Sequence, residues 1–306
     1  MSKSKNNISS SYVIGVFWFS LSLVISTTND VFAKFLGANL HTFQLTFLRF
    51  LFGTLSLLPI MLYSGKDSFK TERIIMHLFR GGLLFSAIAL WCYGLTIVPI
   101  ALATTLNFTI PFFTLILARF FLKEKIGKSR WLATIIGFLG VSIAINPINT
   151  SFSFLTLVLL ISAAMFSGLD VLNKKFVSKE SMLAMLFYTA LFTTLIGLGP
   201  AIMVWKPVLN HELFILILLG AGANLLLFFL LKAFTYAEAS ALAPFRYVEL
   251  IFSGLVGFFI FHEIPTFSLC LGALIIIPTT IYIVREETKG EEPISVIPEA
   301  EKSTTF

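Results

Sequence analysis

"TTNDVFAKF", residues 27–35, returns as "SGLDVLNKKF", residues 167–176, in each case near the end of an apolar run. Asp30, Val31 and Lys34 in the first stretch match Asp170, Val171 and Lys174 in the second, an offset of 140 residues in a chain of 306. A motif repeated at that distance raises the question of whether the whole chain is written twice.

The match extends in both directions. Moving the second half back by 139–141 residues puts Pro200 on Pro59, "GAG" (220–222) on "RGG" (80–82), and "SAL" (240–242) on "ALA" (101–103). The same shift puts Glu263 on Glu124 and Ser268 on Ser129. Apolar sequences align easily, so no single match decides anything. One shared offset across four helix pairs indicates an internal duplication.

Composition sets the solvent. The chain is 57% hydrophobic and 12% charged, with 34 phenylalanines and a mean hydropathy of +0.91. Soluble domains carry about 25% charged residues, so this chain cannot cover a water-facing surface. A bilayer core takes about 20 apolar residues per helix. Ten such segments are present: 12–33, 41–63, 77–97, 100–121, 130–147, 153–173, 182–204, 212–233, 240–261 and 266–284. The ten-residue alternation of an outer-membrane barrel is absent. The expected fold is an all-α polytopic membrane protein with two five-helix repeats, 12–148 and 153–285. A basic tail (1–11) and a disordered acidic tail (286–306) flank them. The first segment has no small-x-small cleavage site and reads as retained.

The basic residues orient the chain. With the N-terminus in the cytoplasm, inner segments receive fifteen lysines and arginines, while outer loops receive only Lys34 and Lys206. That is the positive-inside asymmetry. It makes the net charge of +6 a topology signal rather than a nucleic-acid patch. The expected location is the inner (cytoplasmic) membrane, with both termini cytoplasmic. Five spans per half is an odd number, so the halves cross in opposite directions. This is the inverted repeat of many secondary transporters.

With "FQLTFLRFLFGTLSLLP" (43–59), "YGLTIVPIALATTLNFTIPFFTLILARFFLKEKI" (93–126) and "AFTYAEASALAPFRYVELIFSGLVGFFIFHE" (233–263), the chain resembles the drug/metabolite transporter superfamily, EamA-type branch. The resemblance covers about residues 12–285 and implies an alternating-access carrier of small organic molecules. Family members often carry Glu-Pro in the ninth span. Here Leu250 follows Glu249, which implies a lost kink there, while Pro111 keeps one in the fourth span. The overall character of the sequence is also similar to S-adenosylmethionine uptake carriers of obligate intracellular bacteria, which implies that ligand as the expected substrate. An amino acid, a nucleoside or an exported drug would use much the same residues.

Charges at membrane depth cost at least about 2.5–3.5 kcal/mol and call for a reason. Arg246 and Glu249 lie three apart, on one helix face. They either neutralise each other or line a central cavity, where Arg246 would meet a carboxylate and Glu249 an ammonium or sulfonium. Arg49 in the second span is as well suited to packing as to substrate contact. Asn107 aligns with Arg246 under the duplication, and Asn224 is a further buried amide. Trp91 and Tyr93 lie well inside the third span and could hold an aromatic ring or a cation. Asp30 with Lys34, and Asp170 with Lys174, read as helix-end pairs or gates on opposite sides. Arg80, Arg119 and Lys232 read as snorkelling to headgroups. Rows of small residues (Ser129, Ala133, Gly137; Ser268, Gly272) suggest that the fifth and tenth spans pack on each other or on a second protomer of a homodimer.

No phosphate-binding loop, metal-ligand spacing or nucleophile with its base is present, so neither cofactor, metal nor catalytic residue is expected. His41, His77, His211 and His262 are scattered at helix ends. The expected partners are a small-molecule substrate and the lipid bilayer, with no nucleic acid. A passive channel or scramblase is the alternative from another class.

Overall fold

The computed structural model describes residues 2–37, 39–97, 100–145, 157–262 and 266–290. Among the described residues the regular structure is helical, with no strand. The α-helices are α1 (Ser2–Gly37), α2 (Thr42–Tyr63), α3 (Ile74–Ile97), α4 (Ile100–Asn107), α5 (Ile110–Leu117) and α6 (Lys128–Ile145). They continue with α7 (Leu157–Phe176), α8 (Met182–Met203), α9 (Asn210–Tyr236), α10 (Ala239–Leu242), α11 (Glu249–Phe261) and α12 (Phe267–Gly290). A π turn, Ala118–Leu122, continues α5, and a 3₁₀ stretch, Ala243–Val248, joins α10 to α11. Among the described residues, ten helical spans are long and apolar enough to cross a bilayer.

The halves match in conformation as well as in sequence. Helices α2 and α8 are each 22 residues long, start 140 residues apart, and carry Pro59 and Pro200 one position out of register, both in the last two turns. Both starts are capped by a side chain: His41 accepts from the Phe43 amide and Ser181 from the Ala184 amide. Among the described residues, two non-glycine residues have positive φ, Lys123 (59°) and His262 (53°). They lie 139 positions apart, each just past the end of a broken span. A left-handed residue costs roughly 1–2 kcal/mol, so its recurrence 139 positions on is consistent with two repeats.

Packing obeys the same exchange. Helix α1 packs on α9, and its counterpart α7 packs on α3; α2 meets α9 as α8 meets α3. Helix α5 lies against α7 as α11 lies against α1, while α2 with α8, and α6 with α12, are pairs that map onto themselves. Bulky apolar side chains such as Phe17, Phe79, Phe120, Phe259, Phe267 and Leu274 face outward, while Gln44, Ser162, Ser167, Thr193 and Ser240 are buried. Lipid is an adequate solvent for the first group, so the helices join through small and polar residues.

Helices α6 and α12 pack within one chain, the first of the two expected arrangements for their small-residue rows. A Cβ on Gly272 would collide with the Gly140 carbonyl and the Ala144 methyl, so the backbones touch there. Gly137 instead receives the ring of Tyr247.

Residues 2–11, expected as a cytoplasmic tail, are helical and run on into α1. Two expectations need correction. Residues 286–290 likewise continue α12, because Arg130 holds Glu287 in a buried pair; 291–306 lie outside the described residues. Arg80 does not snorkel. It is fully buried and donates to Asn173 Oδ1 (3.0 and 2.6 Å) and to the Met185 carbonyl (3.3 Å), tying α3 to α7 and α8.

Candidate functional site

Two spans are broken within their length. The fourth breaks at Phe108–Thr109, where Pro111 in the first turn of α5 has no amide to continue the ladder. The ninth breaks as well, contrary to the kink loss implied by Leu250. Pro244 opens the 3₁₀ stretch Ala243–Val248, one turn before Glu249. The broken segments touch each other, since α5 packs against both α10 and the 3₁₀ stretch. Interrupted helices at a repeat interface free backbone groups and bring side chains to a shared cavity.

Five charged side chains occupy this region. Arg246, from the 3₁₀ stretch, donates through Nη2 to Asp170 Oδ2 of α7 at 2.6 Å. Glu249 opens α11, close to Ser26 of α1 and in the field of Arg246. Asp30, one turn further along α1, has Glu249 and Arg49 as its electrostatic neighbours. Arg49 of α2 faces Asp30, and its Nε is buried with no hydrogen-bond partner among the described residues. The Asp30 side chain is exposed.

This arrangement corrects the helix-end reading of the two aspartates. Asp30 lies seven residues before the end of α1 and Asp170 six before the end of α7, about 9–10 Å inside at 1.5 Å per residue. Asp170 pairs with Arg246, not Lys174. Lys174 instead donates to the Phe234 and Ala237 carbonyls at 2.6 and 2.7 Å, closing the end of α9. The side chain of Lys34 lies outside the described residues. Arg246 and Glu249 do not neutralise each other alone, because Asp170 is the closer anion.

The other candidates divide. Asn107 ends α4 beside the break and is half-buried. Trp91 packs against Ala103, Leu106 and Leu159, between α3, α4 and α7. Tyr93 is 54% exposed on α3. Asn224 is helix glue: its Nδ2 donates to the Gly53 carbonyl (2.7 Å) and Ser56 Oγ (3.0 Å) of α2. Among the described residues no group of His, Cys, Asp and Glu could hold a metal ion, and Cys92 and Cys270 are free thiols.

A second polar cluster, not anticipated from sequence, closes the lysine-rich end. The Glu124 carboxylate accepts from the Ala239 amide (3.1 Å), the Ser240 amide (3.0 Å) and the Ser240 hydroxyl. Arg130 reaches Glu238, Ser240 and Glu287. In the sequence Arg130 is one of the fifteen inner basic residues, and its acidic partners Glu238 and Glu287 lie more than a hundred residues away.

The profile of the EamA-like transporter family matches this chain twice, over residues 13–146 and 153–285. An S-adenosylmethionine uptake transporter of Rickettsia conorii is 46% identical over 285 residues, covering 93% of this chain and 97% of its own. A riboflavin transporter of Vibrio cholerae is 32% identical over 76% of this chain and 79% of its own. One solved crystal structure, 16% identical, superposes with a TM-score of 0.77 over 91% of this chain and 98% of the other.

Proposed function

Because the chain belongs to the EamA-like transporter family, we propose that it takes up S-adenosylmethionine by alternating access, as a secondary transporter of the inner membrane. The observation that carries the substrate is the 46% identity, over 93% of the chain, to a protein with that activity in its name. The chemistry of the charged cluster supports it. At neutral pH this ligand bears one carboxylate, one ammonium and one sulfonium, and the cluster offers charged partners of both signs. Riboflavin is uncharged under the same conditions. Five charged side chains at membrane depth would be a costly way to receive it, which places the riboflavin carriers second.

In this reading the termini and the Glu124–Arg130 cluster face the cytoplasm, and that end is shut. The recurring positive φ at Lys123 and His262, and packing that survives exchange of the halves, support an inverted repeat in which the two halves swap conformations. A ligand of net charge +1 gains roughly 2.3 kcal/mol on entering against 100 mV, inside negative. Uptake then needs no coupling ion. The test is saturable entry of labelled S-adenosylmethionine into proteoliposomes, increased by an inside-negative diffusion potential. Unlabelled ligand in excess must suppress it, and entry that excess ligand leaves unchanged would remove this substrate.

A further inference from the structure

The five charges at the broken spans are not equivalent. Arg246 and Asp170 already satisfy each other at 2.6 Å. A guanidinium held by a carboxylate is a poor receptor for a second one, because the incoming anion must first displace a partner that is already desolvated. Arg49 is in the opposite condition. Its Nε is buried with no hydrogen-bond partner among the described residues; the Phe50 ring lies 5.7 Å from the guanidinium carbon and Asp30 is the anion in its field. A buried donor left unpaired costs about 1–3 kcal/mol, so the Arg49 Nε gains by taking an acceptor. Asp30 links Arg49 to Glu249, in the field of both, and Glu249 lies close to Ser26 of the same helix as Asp30.

With the Arg246–Asp170 pair set aside as internally neutral, Arg49, Asp30 and Glu249 remain: one formal positive and two formal negatives. This is the complement of S-adenosylmethionine, with its one carboxylate and two cationic centres. We propose that Arg49 receives the substrate carboxylate while Asp30 and Glu249 receive its ammonium and sulfonium, and that Arg246–Asp170 is a positioning pair rather than the carboxylate receptor. The assignment rests on the substrate reading above. It also says something that reading does not: the site should prefer the sulfonium to its neutral sulfide analogue, and Asp30 should be the reason.

The test uses full-length protein in proteoliposomes. Three competitors act against labelled S-adenosylmethionine: the ligand itself, its demethylated sulfide, and its decarboxylated form. Saturable uptake by the unaltered protein comes first, and its absence defeats the substrate reading independently of the residue assignment. Given uptake, Asp30→Asn should weaken the sulfonium compound about ten- to a hundredfold while moving the sulfide far less. Arg49→Gln should weaken both carboxylate-bearing competitors by a similar factor and leave the decarboxylated one nearly unchanged. Arg49→Lys, which keeps the charge without the fork, should fall between. Arg246→Gln should shift all three competitors alike. A monodisperse elution profile and retained thermal transition show that each variant is folded. Equal losses of sulfonium and sulfide in Asp30→Asn overturn the assignment, as does a carboxylate-selective loss in Arg246→Gln rather than Arg49→Gln.

Discussion

Arg130 of α6 grips Glu287 of α12 through two parallel bonds, Nε to Oε1 and Nη2 to Oε2, both 2.8 Å. The two residues are the last-span anchors of the two halves, and both are buried. The guanidinium also reaches Glu238 and the Ser240 hydroxyl, so one side chain ties α6, the α9–α10 connection and α12 together.

Removing that side chain should be expensive. Breaking a buried ion pair from one side typically costs about 3–5 kcal/mol, because the other charge is left without compensation. Arg130→Gln strands Glu287 and weakens the hold on Glu238 together, so its thermal transition in detergent should fall further than that of Glu287→Gln, which leaves Arg130 its remaining acceptors. Equal transitions in the two variants would place the stabilising weight elsewhere.

Arg80 makes a second, independent case. It is fully buried among α3, α7 and α8, where Asn173 Oδ1 accepts two of its donors and the Met185 carbonyl another. Arg80→Leu keeps much of the volume but orphans those acceptors at about 1–3 kcal/mol each. Arg119→Leu is the control, since Arg119 makes one long bond of 3.3 Å to the Glu124 carbonyl. Thermal unfolding of the purified variants should separate them by at least the cost of one buried acceptor. A transition for Arg80→Leu as high as that for Arg119→Leu would mean that the bonds are replaced by water.

The contrast between these arginines bears on what the sequence could reveal. Hydropathy delimits spans because a bilayer admits only helices of sufficient apolar length, and the 140-residue offset reports the duplication because both halves solve the same packing problem. Partner choice is not encoded that way. Asp170 has Lys174 one turn away along its own helix, the neighbour that a sequence reader sees, yet its partner Arg246 comes from a span 76 residues further on. Arg80 lies only a turn or two inside α3, where a snorkelling reading is natural, and only the arrival of α7 and α8 buries it. The break in the ninth span was hidden for a local reason. Pro244 lies ahead of the charged pair, whereas the family pattern directs attention to the position after Glu249.

Close helix approach gives a prediction with a built-in control. A Cβ at Gly220 of α9 would lie 2.6 Å from the Gly53 amide nitrogen and 2.8 Å from the Arg49 carbonyl of α2, where only backbone could yield. Gly199 of α8 has nothing within 4 Å. Gly199→Ala should therefore stabilise slightly, by up to about 0.5–1 kcal/mol, through the lost backbone freedom of the unfolded chain. Gly220→Ala should destabilise and, by pushing α9 off the Arg49 turn, also impair uptake. Matched thermal unfolding and uptake curves for the two alanine variants check both signs.

The Asp170–Arg246 pair can be tested as a pair. Asp170→Asn leaves a guanidinium without its closest anion, and Arg246→Gln leaves a carboxylate without its cation, so each single change should cost several kcal/mol at this largely enclosed site. The double variant carries two neutral amides that can still hydrogen-bond, so it should be markedly more stable than the sum of the singles predicts. The difference is the coupling energy of the cycle, expected at about 0.5–3 kcal/mol. If the pair only positions the broken ninth span, the double variant should also recover part of the uptake lost in either single. If Arg246 contacts substrate directly, stability should recover in the double variant while uptake stays low. Thermal unfolding and initial uptake rates on the same four proteins distinguish the two outcomes.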